Sequence, residues 1–136
     1  MKRIVLAIFL MLALMASLSA YEMDDTVIDG LNVSTHPDAV LNQPHDKNVM
    51  LVFDSASCVY CDMLKENVLS NPDVQKVLND KYIVALVDVS KNTDLALKYK
   101  AYGTPVTVIL NQSGDEIYRI EGYVESDDFL DGLKGI

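Results

Sequence analysis

The pattern of apolar and polar positions divides most of the chain into strands that alternate with helices. Residues 48–53 and 82–89 are largely apolar runs rich in β-forming residues, which is the pattern of strands buried on both faces of a sheet. A third run covers residues 106–110, and residues 111–114 are a hairpin turn signal. Positions 115–120 then alternate between polar and apolar residues, which is typical of an edge strand.

Four segments with apolar residues at helical spacing predict helices between and after these strands. The first is expected to begin at Val59, with Ser57 as its N-cap, and the second at Pro72. The third and fourth are expected to follow the capping residues Thr93 and Ser126.

Residues 21–47 show the weakest pattern. Residues 26–28 could form a short strand, 29–30 a turn, and 38–41 a helical turn.

The order of elements predicts an α/β domain with one mixed sheet between layers of helices. Alternating strands and helices favour parallel pairing with right-handed crossovers, and the hairpin adds an antiparallel edge. The 136 residues are 50% hydrophobic and 23% charged, which is ordinary globular composition for a single domain.

Residues 1–20 have the pattern of a secretory signal peptide. Lys2 and Arg3 precede an uncharged stretch at 4–18, and small residues lead to a cleavage site at its end. The stretch is short for a membrane span, which needs about 20 residues, but an uncleaved N-terminal anchor is the alternative. We therefore expect an exported protein, periplasmic or otherwise extracytoplasmic, with its folded domain over residues 21–136.

The charge of the chain excludes some classes of partner. The whole sequence carries 11 basic and 20 acidic residues, and without residues 1–20 it carries 9 basic and 20 acidic residues, a net charge of −11. Nucleic acids and anionic membranes select for Lys and Arg, so we expect neither as a partner. We expect a soluble acidic monomer.

Cys58 and Cys61 are the only cysteines in the sequence. A bridge between them closes so small a loop that it removes little chain entropy, so structural stapling is a poor explanation for the pair. Half of a zinc site is another use, but it needs two further ligands, and only His36 and His45 are available. These histidines lack the usual spacing of a Cys2His2 site, so we expect a reactive pair and no metal.

The arrangement of strand, Cys58, Val59, Tyr60, Cys61 and helix favours dithiol–disulfide exchange. Cys58 lies where a buried strand ends and a helix begins, and the free amides and dipole of a helix N-terminus lower the pKa of a thiol. Cys61 follows one helical turn later, which places the two Cα atoms about 5–6 Å apart, within disulfide range. We expect Cys58 to be the nucleophile and Cys61 the resolving cysteine, with Val59 and Tyr60 bordering both sulfurs.

The Thr104-Pro105 pair directly precedes the third strand. Because proline has no N–H for the sheet ladder, it fits at the first residue of a strand, and an ordinary trans proline would meet that requirement. A cis bond is the alternative. It would form a fixed turn that presents the backbone of Thr104 beside Cys58, where a substrate chain could pair with it.

Three segments resemble the thioredoxin superfamily: residues 53–61 with the Cys-Val-Tyr-Cys motif, residues 102–105 with Tyr-Gly-Thr-Pro, and residues 114–123. The likeness covers residues 49–136 and is to the exported bacterial and archaeal thioredoxin-like branch rather than to cytosolic thioredoxin. It implies a thioredoxin-like three-layer sandwich, with a mixed central sheet, a C-terminal antiparallel hairpin and flanking helices. It also implies that the first motif cysteine is the nucleophile and that Pro105 is cis and faces the disulfide.

Two departures from that family bear on the chemistry. Thioredoxin-type reductases carry Trp before the first cysteine and Gly-Pro between the two, where this chain has Ser57 and a Val-Tyr pair. They also carry a buried acid six positions before the nucleophile, and that position is Val52 here. A buried carboxylate can accept the proton of the second cysteine, so Cys61 must here use water or another group such as Asp54. We hypothesise that resolution is slower or differently tuned.

These observations favour an extracytoplasmic thiol–disulfide oxidoreductase that uses its own dithiol and no bound cofactor. Its expected partners are proteins with thiols or disulfides and a membrane-embedded redox donor, with a slight preference for the reductive direction. A non-catalytic binding or chaperone module is the second hypothesis, and an insulin-reduction assay of Cys58→Ser distinguishes the two. Delivery of copper or zinc by the two thiolates is a third, which bound-metal mass spectrometry tests.

Overall fold

The computed structural model describes residues 28–136, which fold around one five-stranded sheet. The spatial order of the strands is β1-β3-β2-β4-β5. The strands are β1 Val33–Ser34, β2 Asn48–Asp54, β3 Tyr82–Asp88, β4 Val106–Leu110 and β5 Glu116–Glu121.

The sheet is mixed, as predicted. β3 lies between β1 and β2 and is parallel to both, whereas β4 is antiparallel to β2 and to β5. The C-terminal hairpin of β4 and β5 is therefore the antiparallel part of the sheet.

One connection differs from the alternating pattern, because β4 follows a helix and yet does not run parallel to β3. The strands β2 and β3 end side by side at Asp54 and Asp88, and β4 starts at that same end, where Val106 pairs with Phe53. The intervening helix has six residues and is about 9 Å long. This helix is too short to return the chain along β3, a seven-residue strand about 23 Å long. β4 therefore starts at the end of the sheet where β3 stops, and it runs antiparallel to β2.

The helices cover both faces of the sheet. They are α1 Pro37–Leu41, α2 Val59–Met63, α3 Pro72–Lys81, α4 Thr93–Lys98 and α5 Ser126–Leu133, and α2 continues directly into a π-helical segment, Leu64–Val68.

Two hydrophobic clusters fill the spaces between the three layers. Successive residues of β2 point to opposite faces, so Met50 and Val52 join one cluster while Leu51 and Phe53 join the other. The first cluster includes the buried residues of α3 and α5, and the second packs against α1 and α4. This is the three-layer sandwich that the sequence predicted.

Several local predictions need correction. Thr26 and Val27 of the expected first strand lie outside the described residues, Ile28 lies in a bend, and the first strand is instead Val33–Ser34. The expected turn at residues 29–30 is present.

The three expected capping residues are each displaced by one position. The N-caps of α2, α4 and α5 are Cys58, Asn92 and Glu125 rather than Ser57, Thr93 and Ser126. Ser57 has a positive φ of 57°, outside the extended backbone typical of an N-cap. The Ser126 hydroxyl donates to the carbonyl of Asn67 instead of capping its helix.

Candidate active site

The cysteine pair lies where β2 gives way to α2. Cys58 and Cys61 form a disulfide with a Cα–Cα distance of 5.2 Å, within the range that the helical spacing predicts. Cys58 is the N-cap residue, and its Sγ accepts a hydrogen bond from the backbone N–H of Cys61 at 3.1 Å. Cys58 is half-buried whereas Cys61 is 2% exposed, so only the first sulfur is open to a partner.

The loop before β4 faces this disulfide. The Thr104–Pro105 peptide bond is cis, and Pro105 is buried. The Thr104 hydroxyl lies 3.5 Å from Cys58 Sγ, and the Thr104 carbonyl oxygen lies 3.6 Å from the same sulfur. The structure thus brings together the cysteine pair and the Thr-Pro pair, which are more than 40 residues apart in sequence.

The two residues between the cysteines lie on the surface. Val59 is 70% exposed and Tyr60 is 60% exposed, so neither contributes to the core, although Val59 begins the apolar helical pattern. Tyr102, which belongs to the Tyr-Gly-Thr-Pro segment but was given no role from the sequence, is 78% exposed and lines a groove of about 260 Å³ together with Thr104 and Pro105. The resemblance at residues 102–105 marks Tyr102 only as a neighbour of Thr104 and Pro105, because the position of its loop depends on β4.

An ion pair lies behind Cys61. Asp54 Oδ2 accepts a hydrogen bond from Lys65 Nζ at 2.9 Å, and Lys65 also lies 3.6 Å from Asp62. Asp54, Lys65 and Cys61 line one small cavity that has no room for a water molecule. Burial alone would lower the pKa of Lys65, but the hydrogen bond to Asp54 and the charges of Asp54 and Asp62 outweigh it and raise that pKa above its ordinary value.

This ion pair predicts a pH-dependent contribution to stability. Because the pKa of Lys65 is raised in the folded state, its contribution is complete below the ordinary value of 10.5 and is lost as the pH rises through the higher folded value. We expect Lys65→Met to lower the free energy of unfolding by about 1–2 kcal/mol at pH 8, since it leaves a partly buried carboxylate unpaired.

Urea denaturation of both proteins at several pH values measures this contribution. The difference between wild type and Lys65→Met should shrink above pH 10.5, and the exposed Lys76→Met is the matched control. A difference that stays constant up to pH 11.5 would contradict the assignment.

A zinc site at the cysteine pair has no structural support. His45 precedes β2 and Cys58 follows it, so the seven residues of this strand, about 23 Å, separate them. His36 is the N-cap residue of α1. Within residues 28–136, no group of three or more His, Cys, Asp or Glu side chains is arranged to hold a metal ion.

None of the helices within residues 28–136 has the length and hydrophobicity needed to cross a membrane.

Comparison with known proteins identifies the family. A family model described as a thioredoxin-like domain matches residues 37–135. The thiol:disulfide interchange protein DsbD of Campylobacter jejuni (strain RM1221) is 33% identical over 97 residues, which are 68% of this chain but only 17% of that protein. The chain therefore corresponds to a small part of this relative.

Solved structures show the same fold. A thioredoxin from Thermus thermophilus is 33% identical with a TM-score of 0.67, over 77% of this chain and 85% of that one. The oxidised C-terminal domain of DsbD from Neisseria meningitidis is 24% identical with a TM-score of 0.57, over 69% of this chain and 83% of that one. The chain thus belongs to the thioredoxin-like domain family.

Proposed function

We propose that this protein is an extracytoplasmic oxidoreductase that reduces disulfides in other proteins. The observation that carries the proposal is the Cys58–Cys61 disulfide, in which one sulfur is accessible at a helix N-terminus and the other is buried behind it. The relatives' name, thiol:disulfide interchange protein, describes this type of exchange.

The exchange proceeds in two steps that balance two electrons. The Cys58 thiolate attacks one sulfur of the partner's disulfide and releases the other as a thiolate. Cys61 then loses its proton and attacks Cys58 Sγ, which releases the partner's remaining thiolate and closes the Cys58–Cys61 disulfide. The partner is reduced and the dithiol is oxidised.

The surface around Cys58 suits a polypeptide partner. Val59 and Tyr60, which follow Cys58 in sequence, offer exposed apolar contacts. The groove that Thr104 and Pro105 help to line is close to the sulfur through Thr104. We propose that Thr104 presents backbone to an extended partner segment and that Pro105 holds this loop against the disulfide.

The contacts of the Cys58 sulfur support the reductive direction. Within residues 28–136, its hydrogen-bond donors are the Cys61 N–H and the Thr104 hydroxyl, and Lys65, which lines the cavity beside Cys61, is paired with Asp54. Without a cation at the sulfur, the thiolate is not held strongly enough for a strong oxidant. A reductase ends each cycle with its Cys58–Cys61 pair oxidised, and this disulfide must be reduced again. We therefore propose a membrane-embedded dithiol donor as its second partner.

Export rests on the pattern of residues 1–20, which lie outside the described residues. Lys2 and Arg3 followed by an uncharged stretch are typical of a signal peptide, with an uncleaved anchor as the other outcome. We propose that the domain over 21–136 works outside the cytoplasm as a monomer.

The reduction potential of the Cys58–Cys61 couple tests the direction. We expect a value closer to thioredoxin's, about −270 mV, than to that of a strong exported oxidant, about −120 mV. Equilibration with defined ratios of reduced and oxidised dithiothreitol, read by mass after thiol alkylation, gives the value. A potential above about −180 mV would instead indicate an oxidant or isomerase.

A further inference from the structure

Ser55 lies in the loop between β2 and Cys58, and its side chain contacts the residue before Pro105. Ser55 Oγ and Thr104 Oγ1 are 2.6 Å apart, a short distance for two hydroxyl oxygens. Thr104 Oγ1 in turn lies 3.5 Å from Cys58 Sγ. All three residues are half-buried, so water competes only partly for these contacts.

The disulfide limits the directions that this chain of contacts can take. A disulfide sulfur carries no proton, so a hydrogen bond between Thr104 and Cys58 must have the hydroxyl as donor. A threonine hydroxyl has only one hydrogen, which is then used at the sulfur. Either hydroxyl could be the donor in the 2.6 Å contact, but Thr104 can donate to the sulfur only when the Ser55 hydroxyl donates to Thr104 Oγ1.

The direction of the Thr104 hydroxyl matters because the carbonyl oxygen of the same residue has the opposite effect on the charge of the sulfur. Its carbonyl oxygen, 3.6 Å from Cys58 Sγ, can accept a proton from a thiol and repels a thiolate. If the Thr104 hydroxyl pointed towards Ser55, the sulfur would face two oxygen lone pairs. With Ser55 as donor, the hydrogen of the Thr104 hydroxyl instead points at the sulfur. The hydrogen bond from Thr104 to the sulfur then becomes stronger as the sulfur becomes negative.

We propose that Ser55 is a positioning residue which, by donating to Thr104 Oγ1, orients the Thr104 hydroxyl so that it stabilises the Cys58 thiolate. This inference rests on the proposed function, since it explains how the reduced state of that site is tuned.

The test measures ionisation of Cys58 in the reduced protein by the pH dependence of its reaction with iodoacetamide, with the modified peptide identified by mass spectrometry. We expect Ser55→Ala and Thr104→Val each to raise the midpoint by about half a pH unit, roughly a threefold loss of thiolate below the midpoint. Ser55→Ala should have no further effect in a Thr104→Val background, because Ser55 acts through Thr104. Ser55→Thr, which keeps the hydroxyl, should restore the wild-type midpoint.

Ser57→Gly is the matched control. It removes another hydroxyl of the same loop, one that is exposed, at a positive φ that glycine accepts. Its midpoint should equal that of wild type.

The proposal is overturned if Ser55→Ala or Thr104→Val keeps the wild-type midpoint. It is also overturned if Ser55→Ala shifts the midpoint equally in the wild-type and Thr104→Val backgrounds. Neither result depends on a partner protein. Insulin reduction by wild type, measured in parallel, tests the proposed function separately, so the two can fail independently.

Discussion

Replacing Cys58 with serine should reduce insulin reduction to the uncatalysed rate, whereas replacing Cys61 with serine should stop the reaction at a covalent intermediate. Cys58 is the half-buried sulfur at the start of α2, and a serine hydroxyl there is not ionised at neutral pH. Cys61 is almost fully buried, so it reaches only the Cys58 sulfur and its loss prevents resolution. Cys61→Ser should therefore accumulate a one-to-one mixed disulfide with the partner.

Mass spectrometry under non-reducing conditions detects this adduct, and Ser113→Ala is a control in the exposed turn after β4, at the end of that strand away from Pro105. The adduct should disappear on treatment with dithiothreitol and should be missing from Cys58→Ser. If Cys58→Ser handles insulin as wild type does, the protein is a binding module rather than an enzyme. An adduct formed by Cys58→Ser instead of Cys61→Ser would reverse the two roles.

The features predicted from sequence are those that a local pattern specifies. The apolar run at residues 48–53 predicted β2 because a strand buried on both faces must be apolar at every position, and its central five residues are all buried. The spacing of Cys58 and Cys61 predicted their separation because a helical turn fixes the distance between Cα atoms. Family likeness then placed Pro105 near them, which spacing alone could not.

The features that were missed depend on contacts between distant residues or on weak local signals. Ser55 and Thr104 are 49 positions apart, and nothing in the sequence pairs these two hydroxyls among many. The two-residue strand β1 is too short for periodicity to detect. The π-helical segment after α2 keeps Leu64 and Val68 buried, so the apolar spacing looks the same as that of a continuous α-helix.

Asp54 lies beside Cys61, where it could accept the proton of the Cys61 thiol. The position that is acidic in the family is Val52 in this chain. Val52 is buried in the first hydrophobic cluster. Asp54, two residues along β2, lines the same cavity as Cys61, and within the described residues its Oδ1 is buried and accepts no hydrogen bond. Among residues 28–136, Asp54 is the only carboxylate that lines this cavity, which has no room for water, so we propose it as the proton acceptor for the Cys61 thiol.

We expect Asp54→Asn to slow resolution of the mixed disulfide about tenfold or more, since a positioned base typically contributes about 10²-fold or more. The same change removes a negative charge beside Cys61, so the midpoint of Cys61 alkylation should move to lower pH. If Asp54 acted only through its charge, Asp54→Asn would make resolution faster, because more Cys61 would be ionised. Slower resolution together with a lower midpoint is therefore the signature of a proton acceptor.

Rapid-quench measurement of the mixed disulfide and alkylation of Cys61 across pH provide the two readings. Asp62→Asn is the matched control, because Asp62 also lies near Lys65 but is 63% exposed and does not line the cavity with Cys61. Identical alkylation curves for wild type and Asp54→Asn would rule Asp54 out, and Cys61 would then have to release its proton to solvent after the site opens. Since the Asp54–Lys65 pair also stabilises the fold, resolution should be measured at a temperature where both variants remain folded, so that only the proton transfer differs.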